Sequence, residues 1–238
     1  MVGIGPGAPD DRTRRAENAI AESQVIVGYR PYLDSIDDLV DGRETVASGM
    51  RQEVERCRCA LERAVAGQTV SLISSGDPGI YGMAGLAIEL AAAESFSVPI
   101  EIIPGVTAAG SAAAALGAPL MLDFAVLSLS DLLVPWDRIR DRLEAVAAAD
   151  LAVALYNPRS KRRVRQLDEA VEIFLRHRPG TTPVGVVTSA SCPEQSLVVT
   201  DLDHVLEQEV NMRSVVIIGG SKAKVLDGWL VTSRGYRL

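Results

Sequence analysis

An apolar, partly β-branched run, Val70 to Ser74, is followed at once by Ser75-Gly76-Asp77-Pro78-Gly79-Ile80-Tyr81-Gly82-Met83, and a helix-compatible run extends from Ile80 to Ala93. Strand, Gly/Pro-rich loop and helix in that order form the repeating unit of an open α/β sheet, in which ligands sit beyond the carboxyl ends of the strands. The pattern recurs twice. Ile4-Gly5-Pro6-Gly7 follows a very short first strand, and Ile103-Pro104-Gly105-Val106-Thr107 follows a strand expected over 100–103. Gly76 and Gly79 are expected to let backbone approach a ligand, because no Cβ intervenes. Pro78 stiffens its turn, and Asp77 brings a carboxylate to the strand end as an acceptor for amines or hydroxyls. A tight turn with nothing bound accounts for one such loop, but three in one chain point to a binding face.

Composition narrows the classes. The chain has 238 residues, 47% hydrophobic but only 4% aromatic, so its core is aliphatic. That suits buried parallel strands covered by Ala-rich helices. A net charge of −7 argues against nucleic acid as the main partner. No apolar run is long enough to span a membrane and no signal peptide precedes the first strand, so a cytoplasmic location is expected. Cys57, Cys59 and Cys192 give no disulfide framework, and Cys57-x-Cys59 lies in a helical pattern that turns the two thiols to different faces. His177 and His204 belong to no cluster, and no metal site is expected.

Taken in order, Asp10 or Asp11 is a candidate cap for a helix over 12–23. Strands follow at Val25-Ile26-Val27 and Glu44-Thr45-Val46. Residues 51–66 form an amphipathic helix with Val54, Cys57, Leu61 and Val65 as its buried stripe and Gly67 as its stop. Arg51 stands out at the strand-to-helix junction after Ser48-Gly49. Gly117-Ala118-Pro119 breaks the pattern, dividing the chain into an N-terminal α/β domain over 1–118 and a C-terminal α/β domain over 119–238. In the second, strands are expected over 125–129, 151–156, 184–187, 196–200 and 214–218, with a hairpin signal at Asp227-Gly228. Lys161-Arg162-Arg163-x-Arg165 is expected to open a helix, where positive charge opposes the macrodipole and suggests a use such as holding ligand carboxylates. A dinucleotide is the first rival ligand, since Gly3-x-Gly5-x-x-Ala8 fits the loose fingerprint. Pro6 and Pro9 disturb the required turn, however, and Gly28-Tyr29-Arg30 supplies no acidic residue for a ribose.

Gly5-Pro6-Gly7, Ser75-Gly76-Asp77-Pro78-x-x-Tyr81-Gly82 and Pro104-Gly105-Val106-Thr107 resemble, in that order and spacing, the tetrapyrrole (class III) S-adenosylmethionine-dependent methyltransferases. Ser48-Gly49-Met50-Arg51-Gln52-Glu53, Leu116-Gly117-Ala118-Pro119-Leu120-Met121, Ser128-Leu129-Ser130-Asp131-Leu132-Leu133, Tyr156-Asn157-Pro158-Arg159-Ser160 and Val231-Thr232-Ser233-Arg234-Gly235-Tyr236 are similar to its precorrin-3B C17-methylating branch. The resemblance covers nearly the whole chain. It implies the tetrapyrrole methylase fold, two α/β domains with the cofactor in a cleft between them, and a homodimer. It also implies methylation with ring contraction of a carboxylate-rich macrocycle in cobalamin (porphyrin/corrin) biosynthesis, with S-adenosyl-L-homocysteine as by-product. Carried onto this chain, donor contacts fall on Pro6, Gly76, Asp77, Pro78, Tyr81, Thr107, Ala108, Asn157, Ala190 and a backbone group at Ile218.

A sulfonium donor is already reactive, so its enzyme mainly aligns it with the nucleophilic carbon, and a His or Cys triad is not required. Ring contraction adds proton transfers, for which Arg51, Asp123, Ser128, Ser130 and Asp131 are candidates. Arg51, Ser130, Arg159, Lys161, Arg162 and Arg234 are candidates for holding the acidic arms. The chain departs from the family pattern at Leu122, where a His is usual and where Leu can neither carry a proton nor bind a metal. It departs again at Ala190-Ser191-Cys192, Gly220 and Ser233. Two alternatives stay open: a sibling methyltransferase acting at another macrocycle carbon, and a non-catalytic macrocycle carrier.

Overall fold

The computed structural model describes residues 1–237, which form two compact units, Met1–Thr107 and Ala108 onward. The first unit contains β1 (Val2–Gly3), α1 (Arg14–Glu22), β2 (Val25–Tyr29), α2 (Arg30–Asp34), α3 (Asp37–Val40), β3 (Glu44–Ser48), α4 (Glu53–Val65), β4 (Val70–Ser74) and α5 (Ala84–Ala93). Its sheet runs β1-β4-β2-β3 with every pairing parallel. The strand side chains alternate between two apolar layers. Val25, Val27 and Leu72 pack with Cys57, Leu61, Ala87 and Leu90 under α4 and α5. Ile26 and Ile73 pack on the other face with Ile20, Leu33 and Ile36. Covering both faces is what lets these strands be aliphatic throughout.

Local chemistry fixes the helix ends. The cap of α1 is Thr13, whose Oγ1 accepts from Ala16 N at 3.1 Å, whereas Asp10 and Asp11 lie in a preceding 3-10 turn. Gly67 stops α4 with φ +87 while its N–H reaches Ala64 O and the Gln68 N–H reaches Arg63 O, a Schellman closure. The buried stripe of α4 is Arg56, Cys57, Ala60 and Leu61, and Val54 and Val65 face outward. The strand expected over 100–103 reduces to a single parallel bridge, Ile103 to Val2. Among the described residues its paired neighbour is the two-residue β1, so the pairing has nothing to extend along.

The second unit begins with α6 (Ala108–Leu116), not after residue 118 as the sequence break suggested. Ala109, Ala112 and Leu116 of that helix bury themselves against Ala154, Val187, Val215 and Ile217. Then come β5 (Gly117–Ala118), β6 (Phe124–Ser128), α7 (Trp136–Ala148), β7 (Ala152–Tyr156), α8 (Gln166–Leu175), β8 (Pro183–Thr188), β9 (Ser196–Asp201), β10 (Ser214–Ile218), β11 (Ala223–Leu226) and β12 (Trp229–Thr232). The main sheet runs β6-β7-β10-β8-β9. Among the pairings only β6–β7 is parallel; β10 runs against both β7 and β8, and β9 against β8. Helices α7 and α8 cover one face through Ile139, Leu143, Leu167, Val171 and Phe174. A small sheet, β11-β12-β5, contains the expected hairpin. Asp227 at φ 48 and Gly228 at φ 85 make the left-handed pair that a two-residue turn needs. Among the described residues, no helix is long and apolar enough to cross a membrane.

Candidate functional site

The parallel sheet of the first unit brings its glycine-bearing loops to one end and presses them together. Gly76 N donates to Gly5 O at 2.7 Å and Gly5 N to Gly76 O at 3.3 Å. A Cβ on Gly3 would stand 2.7 Å from Gly76 O and 2.8 Å from Gly105 N, and a Cβ on Gly105 would land on Gly76 O. Gly3 and Gly105 are therefore small because backbone meets backbone there. Asp77 joins the loops too: Oδ1 accepts from Gly79 N at 2.8 Å and Oδ2 from Gly105 N at 3.1 Å. Its carboxylate braces its own loop against the next, so the role expected of it as a free ligand acceptor is narrowed to its remaining lone pairs. Tyr81 is held at φ 54 with its side chain exposed. Pro6, Gly76, Asp77, Pro78 and Tyr81 thus belong to one packed loop cluster, which Gly105 links to the segment ending at Thr107. Arg51 lies on the neighbouring loop after β3, exposed and at φ 65.

The second unit builds a side-chain network where β6 and β7 end. Ser128 Oγ accepts from Asn157 Nδ2 at 3.0 Å and from Ser130 N at 3.2 Å. Both lone pairs are then engaged and the hydroxyl proton is left to point elsewhere. Asn157, at φ 51, also accepts Arg163 Nε on its carbonyl at 2.8 Å, and Arg163 Nη1 reaches Ser130 Oγ at 3.3 Å. Burial pushes the Arg163 guanidinium below its ordinary value, opposed by the charge of Asp131. Arg159 is paired with Asp168 at 2.5 Å. Lys161 and Arg162 are exposed, on a turn where Ser160 Oγ accepts from Arg162 N and Arg163 N. The basic run therefore precedes α8, which starts at Gln166, and its last member, Arg165, is the N-cap at the positive end of the macrodipole. Arg163, which composition alone did not distinguish from its neighbours, is the cation that touches the network.

Strand direction separates residues the sequence had grouped. Asp123 immediately precedes β6 and Ser128 ends it, so these candidates lie about 16 Å apart at the usual rise per residue. Asp123 is exposed and Asp131 accepts from Gln166 Nε2 at 2.9 Å. Ile218 ends β10 opposite Val153 and Val184, near the starts of β7 and β8. Asn157 and Ala190 follow the far ends of those strands, about 13 Å away for Val153 to Asn157. Ile218 is wholly buried, and the adjacent Gly219 has its N–H on Pro183 O and its carbonyl on Arg178 Nη1. The β10 residues that do meet the Ala190 loop are at its start: Ser189 N donates to Arg213 O at 3.0 Å, and Thr188 Oγ1 meets Ser214 Oγ at 2.6 Å. Only knowledge that β10 is antiparallel would have found them. Arg234 is exposed beyond β12.

The sequence pattern of the Tetrapyrrole (Corrin/Porphyrin) Methylases matches residues 1–206. A cobalt-factor III methyltransferase of Priestia megaterium is 44% identical across all of this chain, which spans 45% of that protein's length. A probable cobalt-factor III C(17)-methyltransferase of Salmonella typhimurium is 42% identical, with 100% of this chain and 99% of that one covered. A precorrin-3B C(17)-methyltransferase of a Sinorhizobium species is 40% identical over 95% of this chain and 90% of that protein. Among solved structures, the methyltransferase CobJ superposes with a TM-score of 0.93 at 37% identity, covering 98% of each chain. Uroporphyrin-III C-methyl transferase from Thermus thermophilus, complexed with S-adenyl homocysteine, gives 0.69 at 26% identity over 92% of this chain and 95% of the other. With its glycine-packed loops, its two α/β units and a family match over most of its length, the chain belongs to the tetrapyrrole (corrin/porphyrin) methylases.

Proposed function

We propose that the chain transfers the methyl group of S-adenosyl-L-methionine to C17 of precorrin-3B or its cobalt-containing counterpart, with ring contraction, in cobalamin biosynthesis. The observation that carries this is the 42% identity, end to end, with the Salmonella protein named for that transfer. The relatives named for cobalt-factor III are 42–45% identical and the Sinorhizobium one named for precorrin-3B 40%, so the metallated macrocycle is the first substrate to test. The first unit's loops fit a donor that is held largely by backbone. They are packed so tightly that a Cβ at Gly105 would fill the contact, and they present Pro6, Gly76, Pro78 and Tyr81 at one strand end.

The donor, when bound, supplies an electrophilic methyl group, and the protein's work is to orient it and to exclude water. Asp77 keeps the loops in register by accepting from Gly79 and Gly105. In the second unit, Asn157 and Ser130 hold Ser128 with its proton available, which suits a proton transfer in the contraction. Arg163, beside Ser130, and Arg159, which would exchange its pairing with Asp168, are the cations proposed to meet macrocycle carboxylates. The partner is a carboxylate-rich tetrapyrrole rather than nucleic acid or membrane. The protein acts as a homodimer, a state supported by the exposure of large apolar side chains such as Leu132 and Leu133. Turnover with methyl-labelled donor and each macrocycle in turn tests the assignment. One labelled methyl at C17 by NMR is expected. Donor binding without transfer to either macrocycle would overturn it.

A further inference from the structure

Arg56 lies on the buried face of α4. It is 4% exposed, and among the described residues it makes no ion pair with a carboxylate. Its guanidinium instead bonds neutral groups from separate segments. Nε donates to Ser48 Oγ at 2.5 Å, Nη2 to Gly49 O at 2.7 Å, and Nη1 to Met83 Sδ at 3.2 Å. The Tyr29 ring lies 5.7 Å from its carbon centre, within cation–π range. These partners end β2 and β3 and close the loop that follows β4, so a single side chain ties three strand ends together. A Met thioether is a weak acceptor, so one arm of this buried cation is only weakly satisfied.

Tyr29, Ser48 and Gly49 also line an open recess of about 500 Å³ at the same sheet end, together with Arg30, Met50 and Gln52. Asp34 is the acidic residue in its wall. Gln52 Oε1 accepts from Gly49 N at 2.6 Å, so the loop between Ser48 and Gln52 is braced from both sides. Arg51 sits on that loop, exposed. Arg30 and Asp34 offset each other in the lining, and Arg56 lies behind it, bonded to Ser48 and Gly49.

We infer that Arg56 is a positioning residue that shapes this recess to receive a carboxylate arm of the macrocycle, by holding Ser48 and Gly49 in its wall, with Arg30 at the mouth. The inference rests on the tetrapyrrole reading of the substrate. It is tested on the whole chain by titrating uroporphyrin, a polycarboxylate macrocycle, and S-adenosylhomocysteine separately, with thermal unfolding alongside. Arg56→Met is expected to weaken porphyrin binding at least tenfold and to leave S-adenosylhomocysteine binding within twofold. Arg56→Lys, which keeps the charge but loses the planar fork, should recover part of the loss. Ser48→Ala removes one partner from the surface side and should weaken porphyrin about threefold. Unchanged porphyrin affinity in folded Arg56→Met would overturn the inference, as would equal losses for both ligands. If Arg56→Met does not fold, unchanged affinity in Ser48→Ala overturns it. Failure of the wild-type chain to bind porphyrin would instead count against the tetrapyrrole reading itself.

Discussion

The two units reach a functional strand end by different routes. In the first, every strand is parallel, so each strand's carboxyl end emerges on the same side, and three loops far apart in sequence meet backbone to backbone. In the second, β10 and β9 run against β7 and β8, so β6, β7 and β8 end on one side of the sheet and β9 and β10 on the other. Its network at Ser128, Ser130, Asn157 and Arg163 is made of side chains rather than packed glycines. A parallel sheet makes loop function additive along the chain, whereas a mixed sheet makes it depend on a direction that no local motif encodes.

The sharpest way to break this contrast is Gly105→Ala. The added Cβ falls on Gly76 O in a place where neither backbone can yield alone. A loss of about 3 kcal/mol or more in unfolding free energy is expected, with loss of donor binding by calorimetry. Gly85→Ala is its control, since a Cβ there meets nothing within 4 Å and the position lies in α5. It should stabilise by about 0.5–1 kcal/mol. If both variants behave alike, loop packing is not what organises the first unit.

The polarity of the second sheet is tested next. Asn157→Ala releases Ser128 and should lower turnover at least tenfold. Ser221→Ala, which touches Asp150 at the other end of the sheet, should leave turnover within twofold. Equal losses would mean that both ends serve the reaction. A smaller effect concerns Cys57, on the buried face of α4, where burial pushes the thiol up to about 11. It should resist iodoacetamide at pH 8 until the first unit unfolds, which mass-spectrometric mapping would read directly.

The smallest effects have opposite signs in the two units. In the first, the hydrogen bond from Arg12 holds the Asp38 carboxyl below its ordinary 3.8. That contribution is present above pH 3.8 and is lost as pH falls through the lower folded value, so Asp38→Asn should flatten only the acid limb of stability. In the second, the hydrogen bond to Asp201, and then its charge, raise His204 above 6.5. That contribution is full below pH 6.5 and is lost as pH rises through the folded value, so His204→Gln should flatten only the limb above it. Thermal unfolding against pH would show the two limbs responding independently.

Much of the first unit was legible because its signals are local. A strand followed by Gly5-Pro6-Gly7 or by Gly76-Asp77-Pro78 carries its own turn chemistry, and in a parallel sheet that suffices to place the loop at the functional end. The helix stop at Gly67 and the hairpin at Asp227-Gly228 were readable for the same reason: each needs a left-handed φ that few residues accept. Tertiary structure decided the rest. Arg56 carries no local signal within its amphipathic helix, and only packing turns it inward onto Ser48, Gly49 and Met83. Asp77 looked free until Gly105, distant in sequence, claimed one of its oxygens. Ile218 and Asn157 looked like partners until strand direction put them at opposite ends of one sheet. Sequence by itself determined the elements, their turns and the family, because those depend on neighbouring residues. Which residues converge depends on contacts between segments distant in the chain, and those exist only once the sheet has chosen its order and direction.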